Sequence, residues 1–161
     1  MKINLTCPGE VPSLCWLAIG IPPEVTWLLM SEFQIDSAKI EVLKGKANVK
    51  GALTLNLSGD GVDISDDITV TLGPLSETIP EGTIVEKKGK WEYKQPKGVE
   101  GVIKNMKIDW QKGKFEFSID KADLGGLTEP NNVTISIQVG DDYGQKTITM
   151  KAKHGKWEYK G

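Results

Sequence analysis

Arginine is missing from this sequence of 161 residues, and all 20 cationic side chains are lysine. Arginine is the side chain that binds phosphate and guanine through two parallel hydrogen bonds. The formal net charge is −2, so general electrostatic attraction for a polyanion is weak as well. The sequence therefore predicts no nucleic-acid partner.

Histidine is nearly missing too, since His154 is the single copy. In the repeat described below, Lys88 is aligned with His154. A position that holds lysine in one copy and histidine in the other is typical of a solvated surface. A Ser-His-Asp arrangement needs a histidine base next to its nucleophile. We therefore predict that the protein is not an enzyme.

Cysteine is limited to Cys7 and Cys15. Pro8, Gly9 and Pro12 lie between them and favour a turn that brings the two sulfurs together. We interpret the pair as a disulfide candidate in an oxidising compartment and as free thiols in the cytosol. Two cysteines and one histidine argue against a zinc site.

Long uninterrupted apolar runs are missing as well. Residues 11–30 carry a single charge, but Pro22, Pro23 and Glu24 would break a membrane-spanning helix near its centre. A long polar gap separates Lys2 from the apolar residues, unlike the layout of a signal peptide. We predict no transmembrane segment and interpret residues 1–30 as an apolar N-terminal arm.

What the sequence does contain is a repeat. Similar segments that recur at a near-constant spacing indicate an internal duplication. We predict one unit at residues 31–94 and a second at residues 95–161. The aligned segments are GKWEYK (89–94) with GKWEYK (155–160), AKIEVLKGK (38–46) with MKIDWQKGK (106–114), and ITVTLG (68–73) with SIQVG (136–140).

Each unit has the alternating pattern of β-strands with one buried face. Apolar residues alternate with polar ones in 68–72, in 115–119 and in 133–139, and no stretch has helical periodicity. The alternation changes parity near Asp36–Ser37 and again between Ile103 and Met106, which predicts a β-bulge at both places. The predicted fold is all-β, with two tandem repeated antiparallel units, sandwich- or barrel-like, and the apolar arm.

Two groups of side chains are candidate binding residues. The aromatic residues of the repeated hexapeptide are interpreted as core, and the alternative is a pair of platforms on which sugar rings stack. Clustered carboxylates in the SGDGVDISDD loop suit calcium, and the alternative is a plain acidic turn; we predict no other cofactor. The residues are Trp91, Tyr93, Trp157 and Tyr159 for stacking, and Asp60, Asp63, Asp66 and Asp67 for calcium.

The end of the arm, VTWLLM (25–30), has the composition of a strand that is covered on both faces. We expect Val25, Trp27 and Leu29 to face a core. Leu28 and Met30 then lie on the opposite face, where a neighbouring molecule would cover them. These five residues form the predicted interface; the alternative is that the arm packs on its own units as an extra strand.

We predict a non-enzymatic structural protein that self-associates into an oligomer or a filament by adding its arm to a sheet as a strand. The alternative function is a carbohydrate-binding module with a polysaccharide partner, either with or without calcium. The short Thr-, Lys- and Gly-rich β units resemble modules of secreted and surface-exposed bacterial proteins. This resemblance implies an extracellular or cell-surface location, and the alternative location is cytoplasmic.

Overall fold

The computed structural model describes residues 28–56, 61 and 63–161, which form two β-sheets and no α-helix. The all-β prediction is therefore confirmed. A short 3-10 helix at Val42–Lys44 joins two strands. Within these ranges, no helix has the length and apolarity that crossing a membrane requires.

The strands are, in chain order, β1 (Leu28–Leu29), β2 (Glu32–Glu41), β3 (Lys46–Thr54), β4 (Ile68–Leu72), β5 (Leu75–Ile79), β6 (Val85–Lys87), β7 (Lys90–Lys94), β8 (Ile103–Asp109), β9 (Lys114–Ile119), β10 (Val133–Val139), β11 (Asp142–Ile148), β12 (Lys151–Lys153) and β13 (Lys156–Lys160). Sheet A has the order β1-β11-β10-β4-β5, and sheet B has the order β12-β13-β2-β3-β9-β8-β7-β6. All neighbouring strands are antiparallel except β1 and β11, which are parallel.

The predicted alternation places one face of each central strand in a shared core. In β9, Phe115, Phe117 and Ile119 are buried, while the residues between them are partly exposed. In β10, Ile135 and Ile137 are fully buried and belong to the same apolar cluster as Phe117. The inward faces of the two sheets therefore form one core in a sandwich-like arrangement.

Both predicted β-bulges are confirmed. The register of β2 against β3 shifts between Ile35 and Ser37, and the register of β8 against β9 shifts between Ile103 and Asn105. In each case the extra residue moves the following side chains to the other face of the strand. Ala38 and Met106, which lie just after the two shifts, are consequently buried.

Strands from residues 31–94 and from residues 95–161 alternate in pairs in sheet B and lie side by side in sheet A. At the centre of sheet B, Val49 of β3 pairs with Phe117 of β9. At the centre of sheet A, Val70 of β4 pairs with Ile137 of β10. The hairpin β12–β13 pairs with β2, and the hairpin β6–β7 pairs with β8. Each segment thus completes the sheet that the other begins.

The outward faces of the two sheets differ in chemistry. Lysines on sheet B form ion pairs with carboxylates across neighbouring strands, for example Lys39–Glu158 and Lys107–Glu92. Sheet A instead carries hydroxyl and amide side chains, several of which pair across strands. Its outward residues in the four longer strands are Thr69, Thr71, Ser76, Thr78, Thr134, Ser136, Gln138, Tyr143, Gln145 and Thr147.

Candidate functional site

The end of the N-terminal arm is held at the edge of sheet A by backbone hydrogen bonds. The Leu28 amide donates to the carbonyl of Asp141 at 2.9 Å, and the Met30 amide donates to the carbonyl of Tyr143 at 2.9 Å. Leu28 and Leu29 therefore add to β11 as a short parallel strand. This edge is the candidate functional site because it shows an arm residue joined to a sheet through main-chain contacts.

The three described side chains of the arm, at residues 28–30, face the opposite way from the prediction. Met30 is buried and Leu28 is half-buried, whereas 68% of the Leu29 side chain is exposed. Gly144 explains the inversion, since a Cβ there would come within 2.8 Å of the Met30 sulfur and 2.5 Å of the Phe33 ring. The glycine leaves the space that admits Met30 to the core. Val25 and Trp27 lie outside the described residues.

A buried carboxylate, which the sequence reasoning missed, anchors this edge. Asp142 is fully buried, and its Oδ1 accepts a hydrogen bond from the Asn56 amide at 2.9 Å. The Asn56 side chain in turn donates to the Leu29 carbonyl at 2.9 Å. Asp142, Asn56 and Leu29 thus form a continuous polar link between β11 and the arm. The alternation along β11 was the sequence signal for this burial, because it places Asp142 on the same face as Gly144 and Ile148.

The predicted aromatic residues fall into two different environments. Trp91 and Tyr93 are buried, whereas Trp157 and Tyr159 are partly exposed. The Trp110 ring packs edge-on against Trp91, with ring centroids 5.1 Å apart and planes at 84°. Burial raises the pKa of the Tyr93 phenol, and the charge of Glu77 raises it further. Of the four residues predicted to stack on sugars, Trp157 and Tyr159 are therefore the two whose rings are accessible.

A surface groove of about 900 Å³ opens beside Tyr159. The lysines of β12 and the polar residues of β2 line the same groove as this ring. Lys39 and Glu158, which also line it, form an ion pair at 3.4 Å. The groove combines one aromatic side chain with several hydrogen-bonding groups.

The carboxylates predicted to bind calcium are engaged in local backbone contacts. Asp63 accepts from the Ser65 amide at 2.9 Å, and this contact lowers the pKa of its carboxyl. Asp66 accepts from the Asp63 amide at 3.3 Å, and Asp67 accepts from the Glu81 amide at 2.9 Å. Within the described ranges, no group of three or more His, Cys, Asp or Glu side chains is arranged to hold a metal ion. Asp60 lies outside those ranges, so the calcium site stays a prediction.

His154 lies at the tip of the β12–β13 hairpin and is exposed. Its φ of 49° and the φ of 73° at Gly155 are those of a two-residue turn with both residues in the left-handed region. Lys88 and Gly89 repeat this geometry in the β6–β7 hairpin. The two disulfide candidates, Cys7 and Cys15, lie outside the described residues.

The structure brings together the arm residues Leu28–Met30 with Asn56 and Asp142, and it places the paired aromatic residues elsewhere, on the two outer hairpins of sheet B. Comparison of the chain with known protein families, with curated proteins and with solved structures gives no match.

Proposed function

We propose that this protein is a non-enzymatic assembly module of the cell surface or extracellular space, and that it self-associates by adding its N-terminal arm to a sheet as a strand. The observation that carries the proposal is the pair of backbone hydrogen bonds from Leu28 and Met30 to the edge of β11. Main-chain bonds of this kind provide affinity in strand addition, and alternate side chains provide specificity.

Leu29 supports an intermolecular role for the arm. It is exposed on the outward face of sheet A, next to Tyr143, on a strand whose second edge has no partner in the described part of the chain. Burying a leucine side chain contributes about 1.5–3 kcal/mol. A neighbouring molecule that covers Leu29 would gain this contribution together with a hydrogen bond from the Leu29 amide, since the Leu29 carbonyl already accepts from Asn56.

The described polar residues support a non-enzymatic role. His154 projects from a hairpin tip, and the carboxylates on sheet B form ion pairs with lysines. Asp63, Asp66 and Asp67 accept hydrogen bonds from nearby amides. These contacts hold turns and strands in place, and none of them puts a base next to a nucleophile.

We also infer that the chain is a duplicated unit folded around a pseudo-two-fold axis. Val49 and Phe117 are aligned with each other in the repeat, and each pairs with the other at the centre of sheet B. The ion pair Lys39–Glu158 likewise aligns with Lys107–Glu92. Such an arrangement gives β11 and β5 of sheet A equivalent positions on either side of the axis.

The molar mass in solution tests the assembly role, with Leu29→Asp as the probe and Leu43→Asp as the matched control. Leu43 is 95% exposed in the 3-10 helix, so both substitutions place a charge on an already exposed leucine. Light scattering after gel filtration is expected to show an oligomer for wild type and Leu43→Asp, and a single chain for Leu29→Asp. A monomeric wild type, or an unchanged mass for both Leu29→Asp and a deletion of residues 1–30, contradicts the proposal.

The partly exposed Tyr159, which lines the sheet B groove, and the partly exposed Trp157 on the same strand favour carbohydrate binding as a second candidate function. Pull-down on a panel of insoluble polysaccharides tests it. Trp157→Ala and Tyr159→Ala are expected to lose binding, whereas His154→Lys, at the tip of the same hairpin, is expected to keep it. A wild-type protein that binds no polysaccharide of the panel removes this candidate.

A further inference from the structure

We propose that the edge of β5 is the site at which a second copy of this chain docks, with the arm strand of that copy pairing along it. The inference rests on the proposed function, because it names the acceptor for the arm. It concerns a surface on the opposite side of sheet A from β1, four strand positions away.

The edge strands of the two sheets differ in how they are protected. Natural proteins shield edge strands by keeping them short, by placing lysine on them or by introducing bulges. In sheet B, the edge strands β6 and β12 have three residues each, and both contain lysine. In contrast, β5 has five residues, LSETI, with no lysine, no proline and a regular register against β4. The inward-pointing Glu77 is the one protective feature that it carries. It is the less protected edge.

The free edge of β5 presents backbone groups at defined residues. Gly73 and Pro74 form a two-residue turn, and Leu72 pairs with Leu75 immediately after it. Bonded and non-bonded pairs alternate along an antiparallel ladder, so Leu75, Glu77 and Ile79 bond to β4. The amides and carbonyls of Ser76 and Thr78 consequently point away from the sheet.

The opposite edge shows that such groups accept a strand. The carbonyl of Asp141, just before β11, accepts from the Leu28 amide, and the carbonyl of Tyr143 in β11 accepts from the Met30 amide. The repeat aligns Tyr143 with Ser76, which places an equivalent carbonyl on the β5 edge. The same sheet thus offers two similar acceptors, of which β1 occupies one.

The chain's own aligned segment does not fill the second acceptor. Residues 96–99, which align with the arm at 28–31, form a turn closed by a hydrogen bond of 3.4 Å from the Val99 amide to the Pro96 carbonyl. The Gln95 side chain holds this turn by donating to the carbonyls of Val99 and Gly101. The turn therefore leaves β5 as the last strand of sheet A within the described ranges.

The side chains near this edge suit an apolar strand. Ser76 and Thr78 pair their hydroxyls with Thr71 and Thr69, so the outward face carries no charge there. The one carboxylate of β5, Glu77, is turned inward and accepts from the Val102 and Ile103 amides at 2.8 and 3.2 Å. An incoming arm such as VTWLLM meets no unpaired charge.

A single arm strand could pair with sheet A of its own molecule and with sheet A of the next molecule. The strand β1 pairs with its own β11 along one edge. On its other edge the Leu29 carbonyl accepts from the Asn56 side chain, so the Leu29 amide is the group that β1 offers to β5 of the next molecule. Sheet A then continues from one molecule to the next through a single arm strand. Because the two contacting surfaces differ, the interaction is heterologous and produces a ring or an open filament.

The test measures the molar mass of the full-length chain with the substitution Thr78→Pro. Proline removes an amide hydrogen that points away from β4, so the ladder within the sheet keeps its bonds. Gln145→Pro is the matched control, because Gln145 is the residue of β11 that aligns with Thr78. We expect Thr78→Pro to reduce the mass to that of one chain, 17.6 kDa, and Gln145→Pro to retain the oligomer.

The double variant Ser76→Lys/Thr78→Lys replaces Thr78→Pro if the proline variant lacks a cooperative unfolding transition. Retention of the oligomer by a folded β5 variant, with Leu29→Asp monomeric, overturns the β5 site and leaves the arm's role intact. A monomeric wild type, or an oligomer that survives both Leu29→Asp and the deletion of residues 1–30, overturns the proposed function and the β5 site together. Dissociation of Gln145→Pro alone assigns the contact to the β11 edge and also overturns the β5 site.

Discussion

Val49 of β3 lies directly opposite Phe117 of β9, and both side chains are fully buried. The same register joins Ala47 to Ile119 and Gly51 to Phe115, which are the aligned residues taken in reverse order. This antiparallel pair of aligned strands joins residues 31–94 to residues 95–161 in the buried centre of sheet B. Neither segment contains a complete sheet.

This arrangement predicts that neither segment folds alone. A fragment of residues 31–94 lacks the partner of its β6–β7 hairpin, and a fragment of residues 95–161 lacks the partner of β12–β13. Each fragment is expected to show no cooperative unfolding, and an equimolar mixture is expected to recover the β signal in circular dichroism. A cooperative transition from either fragment by itself would contradict the interleaved core.

The sequence was sufficient for the strands and the bulges, because both follow from where apolar residues alternate. It was insufficient for the partners of the strands. The GKWEYK hexapeptides look like the closing strands of their own units, yet β7 pairs with β8 and β13 pairs with β2. Local alternation determines which face of a strand is buried and carries no information about which strand lies next to it.

The arm illustrates the same limit. Of the segment predicted as a strand, Leu28 and Leu29 are described and form β1. The choice of inward face depended on Gly144, a residue more than 100 positions away that makes room for Met30. Asp142 was overlooked because an acidic pair before a glycine is usual in turns. Only the pairing of β11 with β10 shows that this carboxylate is buried.

Two tryptophans of identical local sequence are expected to differ in their contribution to stability. Trp91 is 3% exposed and packs against Trp110, whereas Trp157 is partly exposed and the residue aligned with Trp110 is the smaller Val42. Trp91→Ala is expected to reduce the free energy of unfolding by about 3–5 kcal/mol, and Trp157→Ala by about half as much. Urea titrations of both variants measure the difference, and equal losses would mean that Trp157 is covered as well as Trp91.

The hairpin turns offer a stabilising substitution. Lys88 and His154 both adopt positive φ, of 55° and 49°, in turns for which Asn-Gly is the preferred sequence. Histidine enters this region more readily than lysine does. The left-handed conformation costs an ordinary residue about 1–2 kcal/mol. His154→Asn removes part of this cost and is therefore expected to stabilise the protein by about 0.5 kcal/mol. Lys88→Asn is expected to stabilise it more.

Gly155→Ala is the opposing control for the turn. A Cβ at Gly155 meets no described atom within 4 Å, so the substitution tests the φ of 73° alone. It is expected to lower the melting temperature, while His154→Asn raises it. If Gly155→Ala leaves the melting temperature unchanged, backbone conformation is not what limits these turns.

Two aligned carboxylates on sheet B predict how stability depends on pH. A hydrogen bond from Lys44 lowers the pKa of Glu41, burial opposes this effect, and Lys156 lowers the pKa further. At Asp109, burial acts to raise the pKa, but Lys90 and the Lys112 amide outweigh it, so the pKa is lowered. A pKa that is lower in the folded state stabilises the protein above the unfolded value, which is about 4 for these groups.

The free energy of unfolding is therefore expected to be flat between about pH 7 and pH 5 and to fall below about pH 4, as protons reach the folded carboxylates. The double variant Glu41→Gln/Asp109→Asn is expected to be less stable than wild type at pH 7 and to show a shallower decline in acid. Glu86→Gln, at an exposed position of β6, is the control and should follow the wild-type curve. Urea titrations at each pH give these curves. Parallel curves for wild type and the double variant would show that the ion pairs at Glu41 and Asp109 do not contribute to acid sensitivity.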